Sequence, residues 1–179
     1  SKWIAKIKTN PDIVLNPPGL EPGQFSNDQY WLMQEIEKDE SRVSRGEAAA
    51  NWRSLVPEFG EEVARAFRDA AIAFWRTYNP GLRSEGADTS TIPYALIFAM
   101  TGLSIEAQER EDFPLGLSRK EVSRALRYLT SELNGFPAWL ESFYKAFPNQ
   151  VLAAVHKELD WELNNSGPDT SHHYILHDL

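Results

Sequence analysis

The chain has 179 residues, 42% hydrophobic and 25% charged, with no cysteine and a net charge of −8. Such a length suits one domain or two very small ones, and the composition excludes global disorder. The lack of cysteine removes disulfides, thiol catalysis, cysteine-based zinc sites and iron–sulfur clusters, and the acidic balance makes nucleic acid a poor default partner. No apolar run approaches the roughly 18 residues of a membrane span. Ser1-Lys2-Trp3-Ile4 has no signal-peptide pattern. These features predict a cytoplasmic location and no membrane partner. The missing initiator Met predicts a segment excised from something longer, or a processed tag at its front.

Residues 1–8 read as a short helix with Trp3, Ile4 and Ile7 on one face. Asn16-Pro17-Pro18-Gly19 and Pro22-Gly23 cannot stay helical and predict an irregular loop. Ser26 to Gln29 form a capping box that opens a helix carrying Trp31, Leu32 and Ile36. A second helix is expected from about Val43, through Ala48-Ala49-Ala50, to Leu55, with Pro57 ending it. After Gly60, the positions Val63, Phe67, Ala70, Ala71, Phe74 and Tyr78 make one continuous helical stripe. Asn79-Pro80-Gly81 stops it, and residues 80–91 read as a polar loop.

Thr91 is placed to cap the next helix, with Pro93 in its first turn. Tyr94 to Met100 is apolar on nearly all sides and predicts a central position. Thr101-Gly102-Leu103-Ser104 is expected to interrupt that helix, with Ser104 capping an acidic continuation. Ser118 and Glu121 form a second capping box, followed by the stripe Val122, Ala125, Leu126, Leu129 and Leu133, closed at Asn134-Gly135. Trp139, Leu140, Phe143, Tyr144 and Phe147 predict a short aromatic helix. Pro148 starts the last strong one, with Val151, Leu152, Val155, Leu159 and Leu163 as its stripe. No segment alternates as a strand does. The expectation is all-α, with seven or eight helices in short hairpins.

Pro11 to Val14, Gly60 to Val63 and Pro148 to Val151 share a turn residue, two variable residues and Val. The last two starts are 88 residues apart, with Ser104 midway. Spacing in the forties is what HEAT and armadillo helix pairs give. Two architectures follow: hairpins stacked as a short HEAT-like solenoid, or an irregular helical bundle. The organisation expected is an N-terminal helix and Pro-rich loop over 1–25, a helical repeat domain over 26–168, and a tail or the start of a further helix over 169–179.

The stretches ALIFAMTGLSIEAQ, LSRKEVSRALRYLTSELNGFPAW and FPNQVLAAVHKELDWEL resemble the HEAT-like helical regions that follow the ATPase module in large bacterial NACHT-type (STAND) proteins. The likeness covers about the last 90 residues and rests on helix-pair character. It implies a sensor or scaffold arm whose chemistry sits elsewhere. The chain has no GxxxxGK[ST] phosphate loop, so it is not the motor part.

Catalytic motifs are absent: no HExxH and no GxSxG occurs. Glu106, Glu109, Glu111 and Asp112 offer paired carboxylates but read better as a solvated helix end. His173 and His177 are four apart and, with Asp178, form the one conceivable metal set, although clustered tail histidines are more often solvated. The resulting expectation is a non-enzymatic, protein-binding or scaffold domain of a larger bacterial protein, without cofactor. Its partner is a protein or neighbouring domains of the parent chain. Arg65, Arg68, Arg76, Phe136 and Trp139 are the candidate contact residues, since Arg and aromatics dominate interface energies. The alternative is a small α-helical, metal-dependent hydrolase using the acidic cluster and a His. A third, nucleic-acid binding through Arg65, Arg68, Arg76, Arg124 and Arg127, would be steeply salt-dependent.

Overall fold

The computed structural model describes residues 1–39, 50–132, 135–165 and 175. All regular structure among them is helical. The chain divides into two compact units: Ser1–Tyr78 with Pro93–Glu109, and Asn79–Ile92 with Arg110–Leu179.

The first unit contains α1 (Lys2–Thr9), α2 (Asp12–Leu15), α3 (Asn27–Asp39), a 3₁₀ turn (Trp52–Leu55), α4 (Val56–Phe59), α5 (Glu61–Thr77) and α6 (Tyr94–Glu109). The Ser1 hydroxyl accepts from the Ile4 amide and caps α1. The Trp3 indole and Lys6 both donate to Asp28, at 2.9 and 3.1 Å, and so tie α1 to α3. Both halves of the Ser26–Gln29 capping box form. Gln29 also donates from its buried side chain to the Val14 carbonyl at 2.9 Å, anchoring α2. Residues 1–25, Pro-rich loop included, belong to this unit. Of the helix expected from Val43 to Leu55, residues 43–49 lie outside the described residues, and its end is the 3₁₀ turn.

Gly60, at φ +88°, makes the sharp turn between α4 and α5 that side chains disfavour. The α5 stripe holds as read. Val63, Phe67, Ala70, Ala71 and Phe74 are buried, with Ala64, Ala66 and Trp75 beside them. Each large side chain so buried contributes about 1.5–3 kcal/mol. Tyr78 follows the helix end and stacks on Phe74.

The interruption expected in α6 does not occur: the helix runs unbroken from Tyr94 to Glu109. Thr101 turns its hydroxyl onto the Ile97 carbonyl, at 2.9 Å, inside the helix. Gly102 is a close-approach position, since a Cβ there would stand 1.8 Å from the Ala71 carbonyl oxygen of α5. A glycine that looks like a helix breaker is here a contact point between two helices. Pro93 sits just before the helix, and its carbonyl accepts the Leu96 and Ile97 amides. All three turn-xx-Val starts open a helix, α2 being a single turn, but Ser104 lies within α6.

The second unit contains a 3₁₀ turn (Arg83–Glu85), α7 (Arg119–Leu126), α8 (Leu140–Ala146) and α9 (Pro148–Asn165). The Ser118–Glu121 capping box opens α7. The helix does not continue to Leu133 as expected. From Arg127 on, the amides bond three residues back, tightening the chain and turning Tyr128 and Leu129 into the core. Leu133 and Asn134 lie outside the described residues. Phe143 is fully buried, with Trp139 at 5.0 Å and Phe113 at 5.4 Å.

The α9 stripe needs correction. Val151 and Val155 are buried, but Leu152 and Leu163 are 42% and 51% exposed. The buried face continues instead through Glu158 and Glu162, 5% and 3% exposed. The 3₁₀ turn explains the exchange. Ser84 donates to Glu158 from its amide and its hydroxyl, and Arg83 reaches Glu162 at 3.5 Å. The Ile175 amide donates to Glu162 as well, at 3.2 Å.

A candidate binding groove

The residues singled out by sequence fall in different settings. Arg65 lies on the exposed side of α5, paired with Glu61 one turn earlier at 2.8 Å. Arg68 is paired with Asp69 at 2.6 Å and Glu109 at 3.6 Å, and lies 5.3 Å from the Trp52 ring. Arg76 grips Glu106 with both terminal nitrogens, at 2.6 and 2.7 Å, and covers the Trp75 ring. The Trp75 indole donates to the same carboxylate at 2.8 Å. Phe136 and Trp139 belong to the second unit, Phe136 half-buried and Trp139 buried. Only Arg65 among the five is an open surface residue.

Glu109, Glu111 and Asp112 of the acidic cluster are exposed, as expected of a solvated helix end, but Glu106 departs from it. Glu106 is buried in the Arg76 pair, and Glu109 accepts from the Trp52 indole at 2.8 Å and from Arg53 at 2.9 Å. Burying the Glu106 carboxylate costs several kcal/mol unless a cation and hydrogen bonds replace its water, and Arg76 and Trp75 do so. Asp112 pairs with Arg110 at 2.6 Å. His173, His177 and Asp178 lie outside the described residues. Among those described, no group of three His, Asp or Glu is arranged to hold a metal ion. No described helix is long and apolar enough to cross a membrane.

What the second unit does present is an open groove of about 660 Å³. Val122 and Leu126 of α7 face Ala153 and Ala154 of α9, with Leu82, Leu117 and Phe147 completing the apolar lining. Arg119, Arg127, Lys157 and Glu158 supply its charges. Arg127 and Lys157 are held by one carboxylate. Glu85 accepts from Arg127 at 2.7 and 3.0 Å and from Lys157 at 2.8 Å. Those hydrogen bonds, Arg127 foremost, pull the Glu85 carboxyl down to about 2 and push the Arg127 guanidinium up. Arg127 also donates to the Pro80 carbonyl at 2.8 Å. Its Nε is buried with no acceptor among the described residues. Arg119, exposed at the rim, pairs with no carboxylate among them.

Sequence reading missed this groove. Val122 and Leu126 read there as part of a helical stripe and 80–91 as a polar loop, although Arg83, Ser84 and Glu85 organise the charged end. Their partners lie 42 to 79 residues away, beyond any local pattern. One signal was available: Glu158 and Glu162 continue the Val151–Val155 register at helical spacing.

Comparison with known proteins finds no matching family model, no matching curated protein and no matching solved structure.

Proposed function

We propose that the chain is a non-enzymatic, protein-binding helical domain, a HEAT-like scaffold or sensor segment of a larger bacterial cytoplasmic protein, and that the second unit's groove is its contact surface. The observation that carries this reading is the groove itself. It is open and largely apolar, with Arg119, Arg127 and Lys157 among its lining, as in surfaces that receive a peptide segment. The hydrolase alternative draws no support from Glu106 and Glu109, whose carboxylates are engaged by Arg76, Trp75, Trp52 and Arg53.

The test is selection of a phage-displayed random peptide library, unbiased in charge, on the purified chain. Ser123 and Ala153 line the groove yet are exposed, so Ser123→Trp and Ala153→Trp fill it without unpacking the core. Enriched peptides are expected to lose at least about tenfold in affinity, about 1.4 kcal/mol, on both variants. No enrichment, or peptides indifferent to both substitutions, would overturn the reading.

A further inference from the structure

We propose that the groove's occupant is an acidic, amphipathic α-helix of a partner protein. The proposal rests on the groove being the contact surface and adds what that surface selects.

Shape argues for a helix. Ser123 of α7 and Ala153 and Ala154 of α9 are small and leave hollows beside Val122, Leu126 and Phe147. Side chains at i, i+3 or i+4, and i+7 of a third helix fill such hollows. Arg119 and Arg127 bracket α7, and eight residues of helix rise about 12 Å, a little over two turns. That span matches i to i+7 on an incoming helix. An extended peptide would need partners for its own amides and carbonyls. The lining offers few neutral ones: Ser123, Thr130 and Gln150. A helix brings its backbone bonds with it.

Charge argues for acid. Four cations and one carboxylate lie between Arg119 and Arg127 in a chain whose net charge is −8. Arg119 and Lys120 are exposed, and among the described residues neither has an ionic partner. Lys157 stands on the opposite wall, where it shares Glu85 with Arg127. Glu158, the carboxylate in the lining, is buried and engaged by Ser84, so it does not cancel the rim. Glu residues flanking an apolar stripe would meet Arg119 and Lys120, unpaired among the described residues, on the α7 side and the Glu85-bound Lys157 on the other, which sets partner choice and encounter rate more than depth of binding.

The experiment uses two fluorescein-labelled, end-blocked peptides of about 16 residues with the same Leu at i, i+3, i+7 and i+10 spacing. One carries Glu at its flanking positions, the other Lys. Anisotropy titrations on the full chain are expected to show the Glu peptide binding at least about tenfold tighter at low salt, with the gap shrinking in high salt. Its circular dichroism should gain helix on binding. Arg119→Glu with Lys120→Glu should reverse the preference while leaving the melting temperature unchanged, and Ala153→Trp should abolish both interactions. Equal affinities, a preference for Lys, or binding without helix gain would overturn the proposal, as would decanoate occupying the groove while both peptides fail. If library-selected peptides respond to Ala153→Trp but are basic or bind extended, only this inference falls. If no peptide responds, the contact-surface reading falls first.

Discussion

Glu106 keeps its charge inside the first unit because Arg76 meets it with two nitrogens and Trp75 with a third. Arg76→Ala would strand a buried carboxylate, and a loss of about 3 kcal/mol in urea unfolding is expected. Arg76→Met with Glu106→Leu should recover most of it, because two apolar side chains need no partner. A double variant as weak as the single one would show that the pair stabilises the fold outright. Glu85 offers a different check. Its folded-state carboxyl is lowered to about 2 by Arg127 and Lys157. The stabilisation is therefore complete above the ordinary carboxylate range and is lost as pH falls through that range toward 2. An NMR titration should find the Glu85 midpoint near 2, and Arg127→Ala should move it up toward ordinary values. An unmoved midpoint would remove Arg127 as the cause. Single-residue features were legible where partners are close in sequence. Both capping boxes, Ser26 with Gln29 and Ser118 with Glu121, span three residues and were read correctly. Glu106 and Arg76 are 30 apart, and nothing local marks either as half of a pair.

At the level of elements, α5 was readable because its buried face repeats at helical period through four turns. Helix α6 was harder. Its first half, Tyr94 to Met100, is apolar on nearly all sides and has no face to read, and its glycine reads locally as a break. The same glycine yields a sharp expectation. Ala is the better helix former by about 1 kcal/mol, so Gly102→Ala should stabilise an isolated helix. In the folded chain its methyl would meet backbone, the Ala71 carbonyl oxygen at 1.8 Å. Helices α5 and α6 must then move apart, with a net loss of about 3 kcal/mol or more and a lower Tm. A neutral Tm would mean that the pair separates at no cost. Helix α9 was misread for the opposite reason. Leucines at 152, 159 and 163 share a face by spacing, yet Leu152 and Leu163 are exposed, because the turn at Arg83–Glu85 draws Glu158 and Glu162 inward.

For the whole molecule, all-α architecture was legible, since helical stripes, caps and Pro/Gly stops recur and no segment alternates. The division into two units was not. Spacings near 44 residues direct attention to consecutive hairpins, whereas the first unit skips from Tyr78 to Pro93 to take in α6. A fragment of residues 1–78 would retain α5 without the helix that covers Gly102's side of it. It is expected to melt without a cooperative transition by circular dichroism, and a fragment of 1–109 should regain one. A cooperative 1–78 fragment would contradict the division. The groove's charged end shares this non-local character, because it depends on a turn that precedes α6 and on helices that follow it.

That ordering has a cost during synthesis. Ser84 leaves the ribosome 74 residues before Glu158, its hydrogen-bond partner. At roughly 5–20 residues per second, the Arg83–Glu85 turn waits about 4–15 s for the helix that holds it. Arg127 emerges 42 residues after Glu85, but Lys157 follows only after 72, and until then the nascent groove has no complete second wall. The surface that would receive a partner thus forms only after α9 has emerged, and a nascent chain cannot bind through it before then.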